Sequence, residues 1–200
     1  RDLKVRYKRS LLGIAWTMLN PLLMMLVFTL VFGQILRVPV EHFTVFFLSA
    51  YLLWNFFAQT TSWSTGCLLG YAPLMKKIYV PKAIFVLATV LSGLVNLLIS
   101  LVPLALIMVA VDHPFRASLA FLPVSILLAA VFALGLSLLL APLSIMFADV
   151  VPIYQVVLTA WLYLTPVMYP ATLVPAAYRG LVAANPMSYF VEVFRAPIFG

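Results

Sequence analysis

The sequence predicts an all-α integral membrane protein with an N-terminal interfacial helix, five transmembrane helices and an external pair of re-entrant helices. Of its 200 residues, 66% are hydrophobic and only 8% are charged, which is too little polar surface to cover a soluble domain. The mean hydropathy is +1.17. The apolar residues fall into several long runs separated by short polar turns. A cleaved signal peptide would explain only the first of these runs.

The first predicted element is a helix over residues 1–13 that lies in the membrane interface. Leu3, Tyr7 and Leu11 recur at spacings of four, which places one apolar stripe on such a helix. Basic side chains on its other faces reach the lipid phosphates; they are Arg1, Lys4, Arg6, Lys8 and Arg9. The alternative is a polybasic flank that only orients the first span.

Five apolar runs predict the transmembrane spans, and these are Ile14–Leu36, Phe43–Gly70, Ala83–Val111, Leu119–Phe147 and Ile153–Met168. The stretches 43–75 and 83–111 contain no charged residue and exceed the ~20 residues that cross a hydrocarbon core. None of the spans contains Asp, Glu, Lys or Arg, which argues against a proton-driven carrier or an intramembrane protease. Gly66 and Gly70 form a small-xxx-small pair that predicts close helix packing within the subunit.

The loop from Tyr71 to Lys82 is the basic interior segment of the chain. It carries Lys76, Lys77 and Lys82 between two uncharged runs, which is typical of a cytoplasmic turn. Prolines bracket Leu74–Val80, a piece long enough for about two helical turns. We predict a small helix on the inner membrane face, and an ordinary loop is the alternative.

The distribution of basic residues predicts the orientation. Eight lie in the N-terminal segment and the 71–82 loop, four lie on the other side, and every lysine is in the first group. The N-terminus and this loop are therefore predicted to be cytoplasmic. Segment 170–200 is then external, and its pieces Leu173–Ala184 and Met187–Phe199 are too short to span. Two re-entrant helices are predicted there, with a pair lying on the surface as the alternative.

The sequence offers no catalytic or metal-binding chemistry. It lacks a G-x-x-x-x-G-K-[ST] phosphate loop, an H-E-x-x-H motif and a G-x-S-x-G motif. Cys67 is the single cysteine, and His42 and His113 lie in separate turns without ligand-like partners. The net charge of +7 is confined to loops and the N-terminus, so it does not indicate nucleic-acid binding. We predict a non-enzyme without a metal or cofactor of its own, whose energy comes from a partner.

Four stretches together resemble the membrane subunits of ABC-2 type exporters, specifically the permeases that export O-antigen, capsule and teichoic-acid polysaccharides. They are RDLKVRYKRSLLGIAWTMLNPLLMMLVFTLVFG (1–33), LMKKIYVPKAI (74–84), TPVMYP (165–170) and NPMSYFVEVFRAPIFG (185–200). Their order along the chain makes the match specific. One departure is Ala148-Asp149, where the family often has Arg-Asp.

The resemblance implies that residues 1–200 are one ABC-2 transmembrane domain of the plasma (inner) membrane, with a sixth span following Gly200. It implies a homodimer bound to two copies of an ABC ATPase, which holds the ATP and Mg. The segment that docks in this ATPase consists of Leu74, Met75, Lys76, Lys77, Ile78 and Tyr79. The implied cargo is an undecaprenyl-diphosphate-linked glycan, whose diphosphate Arg6, Lys8 and Arg9 would meet in the cytoplasmic leaflet.

Aromatic residues within the spans are the candidates for the glycan path. Aromatic faces pack on sugar rings without requiring one register, and weak repeated contacts permit sliding. Tyr51, Trp54 and Phe57 recur every three residues on the second span, and Tyr154 and Trp161 are seven apart on the fifth. Each set therefore lies near one helix face. The alternative is that these rings anchor the helices at the membrane interfaces.

Two other functions remain open from the sequence. An ABC-2 exporter of a drug or small lipid would share this architecture but move a small molecule. A membrane-embedded, lipid-dependent transferase would need acidic or histidine residues at the lipid interface, and only Asp149 is available there.

Overall fold

The computed structural model describes residues 15–31, 40, 42–70 and 81–199, with side chains from Leu19 onward. In this part of the chain all regular elements are helical, which confirms the all-α class. The α-helices are α1 (Ala15–Phe28), α2 (Phe43–Gly70), α3 (Lys82–Ala110), α4 (Leu122–Met146), α5 (Val150–Leu164), α6 (Arg179–Ala184) and α7 (Pro186–Phe199). The predicted interfacial helix, residues 1–13, and the predicted helix Leu74–Val80 lie outside the described residues.

The helix α2 forms the centre of the bundle, with α3 and α4 packed along it. In the 18-residue stretch of α2 that is most apolar, 67% of the residues are buried, against 33% for α3 and 39% for the 117–146 segment. The mean hydropathy of this stretch is nevertheless the lowest of the three, at 1.2 against 2.4 and 2.6. This order is expected in a bilayer, because lipid-facing helices must be apolar whereas a central helix can carry hydroxyl side chains that bond within the protein. Thr61 and Thr65, for example, are fully buried and donate to carbonyls one turn earlier.

The predicted span limits agree closely with the helices for α2 and α3. The span Phe43–Gly70 coincides with α2, and α3 begins at Lys82, one residue before its predicted start. The helix α5 ends four residues early, at Leu164, because Pro166 cannot continue it. Within the described residues, three helical segments are long and apolar enough to cross a membrane, whereas Leu19–Val31 and Val150–Leu164 are shorter. The number of five spans remains a prediction.

Helix α3 packs tightly against α2 at Gly93. A Cβ atom built there would lie 2.1 Å from Thr60 Oγ1, so only glycine permits this helix separation. Among the described residues, no heavy atom lies within 4 Å of a Cβ built at Gly66 or Gly70, so the predicted packing role of this pair is wrong for that part of the subunit.

Residues 170–199, which we call the external segment after their predicted location, contain one helix of the predicted pair and one shorter piece. The predicted helix Met187–Phe199 corresponds to α7. The predicted helix Leu173–Ala184 is instead broken into two 3-10 turns, Ala171–Leu173 and Ala176–Tyr178, followed by the six-residue α6. Pro175 separates the two turns and has no N–H to continue a helical ladder.

Candidate functional site

Three of the five aromatic residues predicted for the glycan path form one cluster. Trp161 of α5 lies edge-on against two rings of α2, with its centroid 6.4 Å from that of Trp54 and 5.3 Å from that of Phe57. Trp54 and Phe57 are 5.8 Å apart. Such edge-to-face pairs are the arrangement that aromatic quadrupoles favour.

Two further rings, which the sequence interpretation missed, extend this cluster to α4 and α7. Phe132 stacks on Phe57 at 5.6 Å, and Phe190 stacks on Phe132 at 4.8 Å. We name Trp54, Phe57, Phe132, Trp161 and Phe190 the aromatic cluster. Phe132 is the one aromatic residue of α4, and that isolation in an aliphatic span was the signal that could have identified it.

The two predicted tyrosines lie apart from the aromatic cluster. Tyr51 stacks on Phe47 at 5.3 Å. Tyr154 donates its hydroxyl to Thr61 Oγ1 at 2.7 Å, which ties α5 to α2. Each tyrosine therefore has a packing or bonding partner within the subunit.

Burial sets a condition on the glycan path. Trp54 is 4% exposed and Phe57 is fully buried, so a sugar could touch them only if α2 and its neighbours separate. Tyr51 and Trp161 are half-buried and present an edge without such a movement. The path through these residues remains a prediction.

Asn185 links the aromatic cluster to the external segment. Its Oδ1 accepts the indole N–H of Trp161 at 2.6 Å and the backbone N–H of Met187 at 3.0 Å. Its Nδ2 donates to Thr165 Oγ1 at 2.9 Å. The bond from the Met187 N–H to Asn185 Oδ1 is that of an N-cap. Pro186 occupies the first helical position, where its missing N–H costs nothing. The Asn185-Pro186 break therefore starts α7 and also holds it against α5.

Arg195 on α7 fastens the external segment to the rest of the bundle. It donates Nη1 to the Pro166 carbonyl at 2.7 Å, and Nη2 to the carbonyls of Phe46 and Val167 at 2.9 and 2.8 Å. Its Nε also donates to Phe46, and the guanidinium lies 3.5 Å from the centre of that ring. Burial lowers the pKa of Arg195 to about 9, so it is still protonated at neutral pH. The sequence interpretation used Arg195 only in the charge count.

The last carbonyls of α7 are satisfied by the turn between α3 and α4. Ser118 Oγ donates to Pro197 at 2.7 Å, His113 Nε2 to Ile198 at 2.9 Å, and Arg116 Nη1 to Phe199. Cations and donors at a helix C-terminus complement its dipole. Sequence analysis predicted no contact between these segments.

The turns predicted to be external meet at one end of the bundle. The ring of His42, before α2, lies 5.2 Å from that of His113 in an edge-on contact. His113 also contacts Phe199 at the end of α7, at 5.0 Å. We name this the outer end, after its predicted orientation. Within the described residues, no group of three or more His, Cys, Asp or Glu side chains could hold a metal ion.

The opposite end carries the helix termini that flank the predicted coupling segment. Leu68 near the end of α2 and Lys82 at the start of α3 line a cavity of about 370 Å³ together with Met146 of α4. The coupling residues Leu74 to Tyr79, and the basic residues Arg6, Lys8 and Arg9, lie outside the described residues.

Comparison with known proteins gives a consistent set of relatives. The profile of a family described as ABC-2 type transporter matches residues 1–199. The O-antigen export system permease protein RfbA of Myxococcus xanthus is 32% identical over 199 residues, which cover 98% of this chain and 76% of that protein. The polysialic acid transport protein KpsM of Escherichia coli is 20% identical over 206 residues, covering 99% and 78%. The capsule polysaccharide export inner-membrane protein CtrC of Neisseria meningitidis serogroup A is 25% identical over 207 residues, covering 100% and 77%.

Proposed function

The chain belongs to the ABC-2 type transporter family, and we propose that it is the membrane permease subunit of an ATP-driven exporter that moves a lipid-linked polysaccharide outward across the plasma membrane. One observation carries the proposal. Relatives that align with nearly the whole chain are named for the export of O-antigen, the transport of polysialic acid and the export of capsule polysaccharide.

The absence of intramembrane charge supports an external source of energy. The described helices α1 to α5 contain no Asp, Glu, Lys or Arg except Lys82, the first residue of α3. A relay of ions or protons through a membrane uses such residues. We therefore propose that a partner ATPase supplies the energy. The resemblance to ABC-2 exporters implies two copies of an ABC ATPase on a permease homodimer, and we propose that assembly here.

The ATPase contact is proposed at the basic loop between α2 and α3. Leu74, Met75 and Ile78 would supply its apolar face, and Lys76 and Lys77 its charged face, with Tyr79 completing the segment. The ends of this loop are held by α2 and α3, and α2 is the most buried helix among the candidate spans. A displacement of the loop would therefore be transmitted to the centre of the bundle.

The substrate path is proposed to begin at the N-terminal segment and to pass the aromatic residues. Arg6, Lys8 and Arg9 would attract the diphosphate of the carrier lipid, at about 1 kcal/mol per cation near the membrane surface. Aromatic rings would then give the glycan weak contacts in many registers. With Trp54 and Phe57 buried, this route requires α2 to move away from α5 during transport.

The proposal is tested in the native host by deleting the gene and restoring it. Loss of surface glycan, with accumulation of lipid-linked glycan in the cytoplasmic leaflet, is expected after deletion. Restoration with the double variant Leu74→Asp and Ile78→Asp should leave a stably inserted permease that does not export. Restoration with Lys82→Gln is the control. This substitution lies at the edge of the same segment and leaves the proposed apolar face intact, so export should be restored.

Co-purification separates this function from the alternatives. An ATPase that co-purifies from detergent, together with loss of glycan export on deletion, is the expected result. An ATPase partner with unchanged surface glycan would instead indicate an exporter of a drug or small lipid. A permease without any ATPase partner would contradict the proposal.

A further inference from the structure

A cavity of about 760 Å³ lies at the outer end, between the external segment and the loop that follows α5. We name it the outer cavity. Its volume falls within the ~300–1,000 Å³ of small-molecule sites. Phe46, Arg195 and Phe199 form part of its wall, and α6 contributes Val182 and Ala183. It is separate from the aromatic cluster, since none of the cluster residues lines it.

Three polar side chains, Arg179, Ser188 and Glu192, line this cavity. Ser188 is 7% exposed, and its Oγ is buried without a hydrogen-bond partner in the described part of the chain. Glu192 lines the cavity one helical turn further along the same face of α7. Arg179 of α6 donates Nε to the Val174 carbonyl at 3.2 Å, which leaves its two terminal nitrogens available. A buried hydroxyl without a partner is costly, so this group of residues suits a ligand that offers hydrogen bonds.

The charges indicate which ligand chemistry fits. A phosphate would meet Glu192 as well as Arg179, and Arg195 already donates to three carbonyls. An anionic headgroup is therefore a poor match. A neutral ligand with several hydroxyl groups can donate to the carboxylate, accept from the guanidinium and do either with Ser188.

The aromatic wall favours a sugar among such ligands. Phe46, Tyr189 and Phe199 are among the residues that line the cavity, and aromatic rings pack on the apolar C–H faces of sugar rings. Hydrophobic and aromatic walls with a few convergent polar groups are the usual composition of a binding site.

We propose that the outer cavity binds a sugar residue of the exported glycan, with Ser188, Glu192 and Arg179 contacting its hydroxyl groups. This inference rests on the proposed function, because it assumes that a glycan reaches the outer end. It adds to that function a contact site on the external segment, at which the emerging chain is held between successive steps of transport.

A photo-cross-linking amino acid at Ala183 tests this site in the full permease, with its ATPase, in cells that export their own glycan. Ala183 lines the cavity, and Leu181, which is 57% exposed and does not line it, serves as the matched control. After irradiation, the purified permease is probed with antiserum to the host glycan and by mass spectrometry. A glycan adduct at Ala183 and none at Leu181 is expected. Phospholipid adducts only, polypeptide adducts only, or no adduct at Ala183 would overturn the inference.

The variant Glu192→Gln gives a second measurement at the same site. Losing a hydrogen bond to a charged group should reduce the yield of the Ala183 adduct by about tenfold. The same acid-to-amide change at Asp112, in the α3–α4 turn and outside the cavity wall, should leave the yield unchanged. An unchanged yield from Glu192→Gln would contradict the assigned contact.

Deletion of the gene distinguishes failure of this inference from failure of the proposed function. If deletion abolishes glycan export and Ala183 still gives no glycan adduct, the site is refuted and the function stands. If deletion leaves glycan export intact, the proposed function fails and the site with it.

Discussion

Trp161 donates its indole N–H to Asn185 Oδ1 at 2.6 Å, and this bond joins the aromatic cluster to the start of α7. The same oxygen accepts the N–H of Met187, and the amide nitrogen donates to Thr165. One side chain thus caps α7 and holds it on α5. A movement of α5 would consequently carry the start of α7 with it.

Replacing Asn185 by Ala should destabilise the permease. Removing an N-cap costs ~1 kcal/mol, and leaving the indole N–H of Trp161 unpaired adds a similar amount; the Thr165 hydroxyl keeps its bond to the Trp161 carbonyl. We expect a lower melting temperature of the purified protein, measured by intrinsic tryptophan fluorescence. Trp161→Phe removes the indole N–H donor together with part of the ring, and the double variant should cost less than the sum of the two single variants. Strict additivity would show that the bond contributes nothing.

Arg195→Lys should release the external segment although it keeps the positive charge. A lysine cannot reproduce the planar fork that binds the carbonyls of Phe46, Pro166 and Val167. The expected cost is ~2–4 kcal/mol, because buried carbonyls lose donors. Limited proteolysis should then cleave within 170–180 more rapidly. Arg179→Lys is the comparison on the same segment. Arg179 is exposed and donates Nε to one carbonyl, that of Val174, so this variant should accelerate cleavage less; equal protease resistance of both variants would contradict the role of Arg195.

The predicted orientation can be tested with single cysteines in a Cys67→Ser background. Arg179 and Lys82 are both exposed. A membrane-impermeant thiol reagent on intact cells should label Arg179→Cys, and should label Lys82→Cys only after permeabilisation. His113 is a poor reporter, since it is 6% exposed and would be protected on either side. Labelling of Lys82→Cys on intact cells would show that the orientation is opposite to the predicted one.

The glycan path requires variants that keep the packing. Alanine at Trp54 would leave a cavity and cost ~3–5 kcal/mol of stability. A loss of export would then not distinguish a destabilised permease from a lost contact with sugar. Leucine at Trp54 and Trp161 retains most of the apolar volume and removes the aromatic face. Export measured at equal permease levels should fall if these rings contact sugar. Normal export from the double leucine variant would show that they only pack.

Gly93→Ala should separate α2 from α3. The added methyl group would overlap Thr60 Oγ1, and overpacking of this kind costs ~1–3 kcal/mol. Gly135→Ala is the control on α4, where a Cβ meets nothing within 4 Å. Adding Thr60→Ala to Gly93→Ala should restore part of the lost thermal stability. A Gly93→Ala protein as stable as Gly135→Ala would show that the helices can move apart freely.

The sequence predicted the candidate site only in part. Trp54, Phe57 and Trp161 were found because aromatic residues at helical spacing share a face. Tyr51 and Tyr154 satisfied the same rule but have other partners, Phe47 and Thr61. Spacing along one helix shows which residues share a face, and it does not show which neighbour that face meets.

The sequence by itself determined the helical class and most helix limits, because both follow from local properties. In lipid, an apolar run must form its backbone hydrogen bonds within its own helix. Pro81 stands directly before α3, and Pro166 stands just after α5. Only the tertiary structure decided that α2 is central and that Arg195 fastens α7. Arg195 and Phe46 are 149 residues apart, and a contact over that separation depends on how the helices between them pack. Hydropathy qualifies α2, α3 and α4 as spans, and it does not say which residues of different helices meet.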